Sequence, residues 1–395
     1  MSAVLLAAMP AGRAATPTAC AYLAETMAHQ PGAAVLLASY PDAPPGPLKQ
    51  AAFVYDNAVA AIALFSCGQP AQARRIGDAL LLALDHDRYW RDGRLRNGYA
   101  AGGVSAAPIQ LAGWWDSKAQ RWLEDDYQAG SDSGNLAWAM LALLTLDQQA
   151  GGRYARGAAR IARWLEPLRD RRGAGGFTGG SFGSEAVQRR LLWKSTEHNA
   201  DLAAAFARFA AASGDAHWLA LSQAAAAFVD AMWDAPRGAF AAGTAQDGVT
   251  RNPLLALDAQ VWPLLALPGA VARYGEVVTH GLQRLRTDSG GAAGYAYSDA
   301  GVGLWTEGTA QVTLLERLSG HNAARAALAA IETARVPGGG YYATTVPALP
   351  TGFMLDTDPT QPRAYLHLEH LGAAAWVALE EQGFNPFTGN RRLPP

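Results

Sequence analysis

Acidic residues recur at the starts of the most hydrophobic segments of this 395-residue chain, although only 17% of its residues are charged. A carboxylate at a helix start commonly caps free amide groups and interacts favourably with the helix dipole. Carboxylates that share one poorly hydrated pocket do more, because burial and mutual repulsion separate their pKa values into a proton donor and an ionised base. The residues at these starts are Asp56, Asp132, Glu197, Asp201, Asp258, Glu307 and Glu369.

The third of these starts is the densest, because Glu197, His198 and Asp201 fall within five residues, with the two acids one helical turn apart. Aromatic and histidine side chains crowd the same positions along the chain. Acids combined with aromatic side chains and little net charge suit a neutral or weakly charged carbohydrate as the partner. We expect substrate contacts from Tyr55, Trp193, His198, Asp201, Trp262, Trp305, Tyr341, Glu369 and His370.

The elements that carry these residues follow one pattern of alternating helices. Six segments are apolar on every face, which predicts helices buried on all sides; they begin near Tyr55, Ser133, Ser195, Leu257, Trp305 and His367. Six amphipathic segments lie between them and predict one-sided surface helices; they begin near Thr16, Ala71, Arg153, Ala216, Ala270 and Ala323. The pattern predicts an all-α fold, an (α/α)6 barrel with six inner and six outer helices. A solenoid is the alternative, but its repeats are normally shorter and less variable.

Glycine- and aromatic-rich connections precede the inner segments, beginning at Gly173, Arg237, Gly291 and Gly338. Glycine permits tight turns and alternating aromatics favour short strands, so we expect β-ribbons at the rim where the inner helices begin. Pro263 lies one turn inside the fourth inner segment and should kink or shorten that helix.

Composition excludes several classes of protein. A formal net charge of -2 gives no basic surface for binding nucleic acid. The sequence contains no run of 18 apolar residues, so it predicts no membrane-spanning helix. The two cysteines could form one pair, but we expect two separate buried thiols. We expect no cofactor and no metal site, because the histidines of HLEH stand three residues apart instead of four.

The domain organisation is expected to be simple: a single barrel domain over residues 16–395 that acts as a monomer. Residues 1–15 have a short apolar core and a small-residue end but no positive start. They are either the remnant of a signal peptide or a disordered terminus. The first reading places the protein in the periplasm or outside the cell, and the second leaves it in the cytoplasm.

Five blocks of the chain together resemble the six-hairpin glycosidase superfamily. They are YDNAVAAIAL, STEHNADLAAAF, LDAQVW, LWTEGTAQ and HLGAAAWVALEEQGFNPF, and the resemblance extends from about Val54 to Phe387. It implies an (α/α)6 toroid whose cleft, at the starts of the inner helices, cuts glycosidic bonds with paired carboxylates. No single hydrolase family within the superfamily is indicated.

Glycoside hydrolysis needs one carboxylic acid to protonate the leaving oxygen and a second carboxylate to activate water or attack carbon. We expect Glu197 to be the general acid, with Asp56, Asp258 or Glu307 as its partner. An alternative is a sugar epimerase of the N-acylglucosamine 2-epimerase type that uses histidines. A polysaccharide lyase would need a basic groove, for which Arg94, Arg96, Arg251 and Arg363 are candidates. A non-catalytic carbohydrate-binding toroid is the remaining alternative.

Overall fold

A computed structural model of the chain describes residues 18–320, 324–356, 358 and 360–395. The predicted terminal segment 1–15 lies outside these residues. In chain order, the α-helices of the described part are α1 (Ala19–Ala28), α2 (Val54–Ser66), α3 (Pro70–His86), α4 (Asp126–Ala129), α5 (Ser133–Asp147), α6 (Arg153–Leu165), α7 (Thr196–Ser213), α8 (Ala216–Ala231), α9 (Leu257–Ala266), α10 (Ala270–Tyr274), α11 (Glu276–His280), α12 (Thr306–Leu318), α13 (Ala324–Thr333) and α14 (Leu371–Gln382).

The six helices predicted to be buried form the inner ring of a toroid. Each inner helix packs against the next in the order α2, α5, α7, α9, α12 and α14. Helix α14 packs against α2, which closes the ring. Their Ala, Leu and aromatic side chains are buried on every face, because each helix has neighbours on both sides and an outer helix behind it. The predicted all-α (α/α)6 architecture is therefore confirmed.

The outer layer matches the amphipathic segments, with one exception. Helices α1, α3, α6, α8 and α13 are continuous, whereas the segment predicted from Ala270 is divided into α10, α11 and a 3-10 turn at Leu282–Leu285. Its breaks fall at Gly275 and Gly281, and glycine is the poorest helix former after proline. The prediction of one long helix here was wrong. The inner helix α9 has 10 residues, which agrees with the shortening expected from Pro263.

Short antiparallel ribbons supply the remaining regular structure of the described residues. The strands are β1 (Val35–Leu36), β2 (Ala51–Phe53), β3 (Gly98–Ala100), β4 (Gly102–Gly103), β5 (Gly113–Asp116), β6 (Arg121–Glu124), β7 (Ser131–Asp132), β8 (Gly180–Phe182), β9 (Arg189–Leu191), β10 (Trp233–Asp234), β11 (Ala239–Phe240), β12 (Gly243–Thr244), β13 (Arg251–Asn252), β14 (Arg286–Ser289), β15 (Ala292–Tyr295), β16 (Ala348–Met354) and β17 (Pro362–Leu366). Strands β7, β8 and β9 form one sheet, and β16 pairs with β17 in a hairpin.

Several ribbons lead directly into inner helices, so they lie at the end of the ring where those helices begin. Strand β7 ends at Asp132 and α5 begins at the next residue. The segment from Gly338 contributes isolated bridges, Tyr342 with Glu369 and Thr344 with Trp305, instead of a regular ribbon. We call this end of the toroid the mouth.

The C-terminal residues close the opposite end of the ring. Phe387 packs between inner helices, with its ring 5.0 Å from that of Trp138 and 5.8 Å from that of Trp262. Asn385 donates to the Leu265 carbonyl at 2.9 Å, at the end of α9. The half-buried Arg208 of α7 donates to the Pro386 carbonyl at 3.2 Å. The toroid therefore has a floor and a single mouth.

The cysteines form a disulfide between Cys20 of α1 and Cys67, the residue that ends α2. The expectation of two separate thiols was wrong. Helix α1 packs against α2 and α14, which brings Cys20 to the end of α2 although the two residues are 47 positions apart in sequence. None of the helices in the described residues is long and apolar enough to cross a membrane.

Candidate active site

Apart from Glu369, the predicted carboxylates meet in one cluster at the mouth, close enough that the charges of Asp56, Glu197, Asp258 and Glu307 act on one another. We call the region that they surround the cavity. Asp56, Asp132, Asp258 and Glu307 are all buried, and Asp201 lies one turn below Glu197 with no exposed surface. Glu197 differs from the others because 20% of its side chain is exposed. The cavity therefore has one partly exposed carboxyl group with several buried carboxyl groups beside it.

Burial raises the pKa values of these carboxyl groups, because removal from water disfavours the charged form. It raises the pKa of Glu197 to about 7, against the opposing effects of the Arg363 charge and the Ser195 hydroxyl. It raises the pKa of Asp132 to about 7 as well, opposed by Asn97 and Arg363. Burial, with repulsion from Glu197, holds the pKa values of Asp258 and Asp201 well above their usual range. Some of these groups are therefore protonated at neutral pH.

His370, the N-cap of α14, lies between two of the carboxylates. Its Nε2 is 3.4 Å from Asp56 Oδ1, and its Nδ1 is 3.8 Å from Glu307 Oε2. The Ala373 amide donates to Nδ1 at 3.3 Å, and the Tyr40 ring stacks on the imidazole at 4.6 Å. Burial alone would lower the pKa of His370, but the neighbouring Asp56 and Glu307 carboxylates outweigh burial and raise it.

A glycine makes room for this group. A Cβ placed on Gly372 would lie 2.8 Å from His370 Cε1, 2.9 Å from Asp56 Oδ1 and 3.1 Å from Glu307 Oε2. The two carboxylate oxygens therefore lie at most about 6 Å apart, on either side of the position that a side chain would take. His370, whose ring nitrogens face both oxygens, lies between them.

Tyr55 fixes the orientation of Glu307. Its hydroxyl donates to Glu307 Oε1 and accepts from the Trp376 indole at 2.8 Å. Burial raises the pKa of Glu307 to about 7, while the charge of His370 and the Tyr55 hydroxyl oppose that rise. Glu307 Oε2 is buried 3.8 Å from His370 Nδ1 and accepts no hydrogen bond from the described residues. One oxygen is thus held in place and the other is left to accept a proton.

Two of the predicted tryptophans are buried near the cavity. Trp262 packs against Trp138 at 5.3 Å and against Trp376 at 6.3 Å, and it is almost completely buried. Trp305 is fully buried between Tyr297 and Tyr365, at 4.8 and 5.3 Å. Trp262 therefore packs among the tryptophans of the inner helices, whereas Trp305 lies at the start of α12 as its N-cap residue.

Trp193 and His198 lie at the accessible side of the cavity, next to Glu197. The Trp193 ring is half-buried and stands 5.3 Å from the imidazole of His198. Burial and the nearby Arg363 charge lower the pKa of His198 to about 3, so this histidine is neutral. Its Nδ1 lies 3.2 Å from both the Gly134 amide and the Ser133 hydroxyl.

Arg363 of β17 is the cation closest to the accessible acid, and it was only a minor candidate in the sequence. Its guanidinium lies 4.9 Å from the centre of the Tyr127 ring and donates to Asp356 Oδ2 at 3.2 Å. Its side chain is 38% exposed, yet its charge lowers the pKa values of Glu197 and Asp132. This combination is expected for a group on the wall of a cleft. The signal that could have found it is its place in the ribbon just before the sixth inner helix.

Two predicted contacts lie away from the carboxylates. Glu369 accepts a hydrogen bond from the Tyr22 hydroxyl of α1 at 2.6 Å. Tyr341 is buried beneath the guanidinium of Arg335 at 4.7 Å. Because neighbouring residues of an extended chain point to opposite sides, His370 faces the cavity and Glu369 faces the outer layer. The sixth inner helix therefore contributes a histidine to the site instead of an acid.

The assembled group can carry out acid–base chemistry with its own side chains. The structure brings together Tyr55, Asp56, Glu197, His198, Asp201, Asp258, Glu307 and His370, with Trp193 at the edge. No three His, Cys, Asp or Glu side chains in the described residues are placed to hold a metal ion. Protonated and ionised carboxyl groups facing one cavity are the requirement for general acid and base catalysis.

Comparison with known proteins identifies the fold. No protein-family model matches the chain, and no curated protein matches it by sequence. Among solved structures, a glycosidase variant matches with a TM-score of 0.60 and 13% identity, covering 92% of this chain and 96% of its own. Cellobiose 2-epimerase from Spirochaeta thermophila matches with a TM-score of 0.58 and 11% identity, covering 91% and 92%.

A bacterial glucoamylase in complex with acarbose also matches, with a TM-score of 0.55 and 12% identity. It covers 87% of this chain, which spans about half (49%) of the glucoamylase. Identities this low establish the architecture alone. The chain has the (α/α)6 toroid fold that these glycosidase and epimerase structures share.

Proposed function

We propose that this protein is a glycoside hydrolase in which Glu197 is the general acid. The observation that carries the proposal is that the inner-helix starts place several carboxyl groups in one buried cavity, of which Glu197 is the partly exposed one. A general acid must hold its proton near neutral pH and reach the leaving oxygen. Glu197 meets both conditions, with a pKa of about 7 and the half-buried Trp193 beside it. Similar toroids include glycosidases.

Glu307 is the proposed second carboxylate. The Tyr55 hydroxyl holds one of its oxygens, and the other is buried without a hydrogen-bond partner. That free oxygen can take a proton from an attacking water molecule or can itself attack carbon. Asp56 and Asp258 remain alternative partners. In this proposal Asp56 keeps His370 in place, since it lies 3.4 Å from Nε2 of the imidazole.

A leaving-group comparison tests the assignment of Glu197. Wild-type protein and a Glu197→Gln variant are assayed on a panel of oligosaccharides and on dinitrophenyl glycosides. Loss of the general acid should lower oligosaccharide hydrolysis by about 10²–10⁴-fold, whereas a dinitrophenolate leaves without protonation and its release should fall much less. A Glu307→Gln variant should lose activity on both kinds of substrate. Glu25→Gln, which changes an exposed residue of α1, is the control.

The outcome separates hydrolysis from the alternatives. Equal losses on both substrates in Glu197→Gln would refute its role as the acid, and wild-type activity in Glu197→Gln and Glu307→Gln would refute the site. Sugar binding without turnover by the wild type would indicate a non-catalytic toroid.

The histidines favour hydrolysis over epimerisation. A base that abstracts a proton beside a carbonyl needs a free ring nitrogen facing the substrate. In His370, Nδ1 accepts from the Ala373 amide and Nε2 faces Asp56. In His198, Nδ1 accepts from the Gly134 amide at 3.2 Å, so Nε2 of this neutral imidazole carries the proton and cannot take another. Incubation with monosaccharides, followed by chromatography of the epimers, tests this preference directly.

The arginines do not form the basic groove that a lyase would need. Arg96 is buried and bound to Asp87 and Glu185, at 2.5 and 2.6 Å. Arg94 pairs with Asp92 at 2.6 Å. Of the arginines named from the sequence, Arg363 reaches the cleft, and its charge is set against several carboxylates.

We also propose that the chain matures in an oxidising compartment, the periplasm or the exterior of the cell. The Cys20–Cys67 disulfide supports this, because disulfides persist mainly outside the reducing cytoplasm. Fractionation of cells that express the complete gene, with thiol labelling of each fraction, tests the location. The monomeric state stays a prediction, which light scattering of the purified protein checks.

A further inference from the structure

A second pocket lies at the mouth of the toroid, outside the carboxylate cavity. It has a volume of about 400 Å³ and lies between the end of α6 and the β8–β9 ribbon. Helix α6 runs opposite to the inner helices, so its C-terminal end is at the mouth. Small-molecule sites commonly have volumes of about 300–1,000 Å³. The pocket can therefore hold a single sugar residue.

Two buried polar atoms at this pocket have no hydrogen-bond partner within the part of the chain that the structure describes. They are the Gln188 amide Nε2 and the Ser181 hydroxyl, whose residues both line the pocket. The orientation of the Gln188 amide is fixed, because its Oε1 accepts from Arg94 Nη1 at 2.7 Å. Its Nε2 is therefore a true donor without an acceptor, and a buried donor of this kind is unfavourable unless a ligand supplies one.

Guanidinium groups make the pocket strongly cationic. Arg163, Arg189 and Arg190 line it, while its acidic residue, Asp92, is already held by Arg94 at 2.6 Å. Arg190 uses one nitrogen on the Pro167 carbonyl at 3.0 Å. Donors thus exceed acceptors here, and the planar arginine fork suits the two oxygens of a carboxylate or a sulfate.

An apolar wall completes the pocket. Trp164, Pro167 and Leu168 line the pocket on the side of α6, and the indole, whose ring centre lies 5.2 Å from the Arg94 guanidinium carbon, provides a flat surface for the C–H face of a sugar ring. An inorganic anion would have no use for such a wall. From these observations we propose that the pocket binds an acidic sugar residue, a hexuronate of an anionic polysaccharide.

The pocket is close to the carboxylate cavity but separate from it. Gly180 of the pocket pairs with Asp132 of the cavity across adjacent strands. Arg189 lies 3.5 Å from Asp356 Oδ1, and the other carboxylate oxygen of Asp356 accepts from Arg363. The inference goes beyond the proposed function, because it names a second ligand class whose binding does not require hydrolysis.

Calorimetric titration tests the proposal with sodium glucuronate, glucose and sodium sulfate as probes. We expect glucuronate to bind the wild type at least tenfold more tightly than either glucose or sulfate. Arg163→Gln should weaken glucuronate binding about tenfold, because it removes one charge-assisted contact. Ser181→Ala should weaken it by a smaller factor. The control is Arg156→Gln, which changes an exposed arginine of the same helix outside the pocket and should leave binding unchanged.

The outcomes are separable from those of the hydrolase proposal. Glu197→Gln should bind glucuronate as the wild type does, whatever happens to hydrolysis. Equal weakening in Arg163→Gln and Arg156→Gln would show a diffuse charge effect and overturn the site. Equal affinity for glucose, or for sulfate, would overturn the acidic-sugar assignment, and so would the absence of any glucuronate binding in the millimolar range.

Discussion

Replacement of Glu307 by glutamine should raise the stability of the protein relative to the wild type as the pH rises. The native carboxyl group holds its proton up to a pKa of about 7, whereas the usual value is 4.5. The native state therefore binds a proton that the unfolded chain has released, so this group's contribution is fully present below pH 4.5 and is lost as the pH rises to about 7. Glutamine has no proton to lose.

The magnitude follows from the two pKa values. Each pKa unit corresponds to about 1.4 kcal/mol, so at pH 8 the ionised Glu307 lowers the free energy of unfolding by about 3 kcal/mol. At pH 5 the same calculation gives a lowering of the free energy of unfolding by about 1 kcal/mol. Any fixed effect of the amide cancels between the two pH values, so the advantage of Glu307→Gln should grow by about 2 kcal/mol. With an unfolding entropy of about 2 cal/mol/K per residue, this change in relative stability corresponds to a change of about 3 °C in the Tm difference between variant and wild type.

Thermal and urea unfolding of the two proteins at pH 5 and pH 8 measure this difference. Glu25→Gln is the matched control, because Glu25 is exposed on α1 and its replacement should have the same effect at both pH values. A Glu307→Gln advantage that stays constant, or that shrinks as the pH rises, would refute the reasoning. It would mean that the cavity hydrates the carboxylate and that burial does not hold its proton.

Three further predictions follow from single contacts. Gly372→Ala should abolish hydrolysis and destabilise the fold, because its methyl group would meet three side-chain atoms within 3.1 Å; Gly338→Ala, with open space around it, should not. Tyr55→Phe should move the acid limb of the kcat/KM profile to higher pH, because its hydroxyl lowers the pKa of the carboxyl group to which it donates. Replacing Cys20 and Cys67 by alanine should lower the free energy of unfolding by about 4 kcal/mol, the loop-entropy value for this separation, as measured by urea unfolding.

The inner ring could be predicted from sequence because a helix without a polar face has one stable environment. The segment from Ser133 carries no charged residue until Asp147, and it forms α5 with almost every side chain buried. The hydrophobic periodicity did not predict the breaks in the outer helix at Gly275 and Gly281. There, packing against the inner ring did not compensate for the low helix propensity of glycine. The periodicity also did not predict that Cys20 and Cys67 would pair. Their pairing depends on which outer helix packs beside α2 and α14, and hydrophobic periodicity does not report that.

The sequence predicted where in the fold the site residues lie better than it predicted which way their side chains point. The starts of the helices locate Asp56, Glu197, Asp258 and Glu307 in the cavity because a helix fixes where its first turn lies. Glu369 lies in extended chain before α14, where a shift of one residue exchanges the inward and outward faces.

The closed ring also determines when the cavity comes into existence during synthesis. Its carboxylates and His370 come from all six inner helices, and the last of these, α14, packs against α2 near the other end of the chain. While the C-terminal segment is still in the ribosome, the acids on the earlier helices stay hydrated and ionised. The electrostatic penalty of burying them is therefore deferred to the final docking step. The hydrophobic contacts of α14 and of Phe387 form at that same step and offset it.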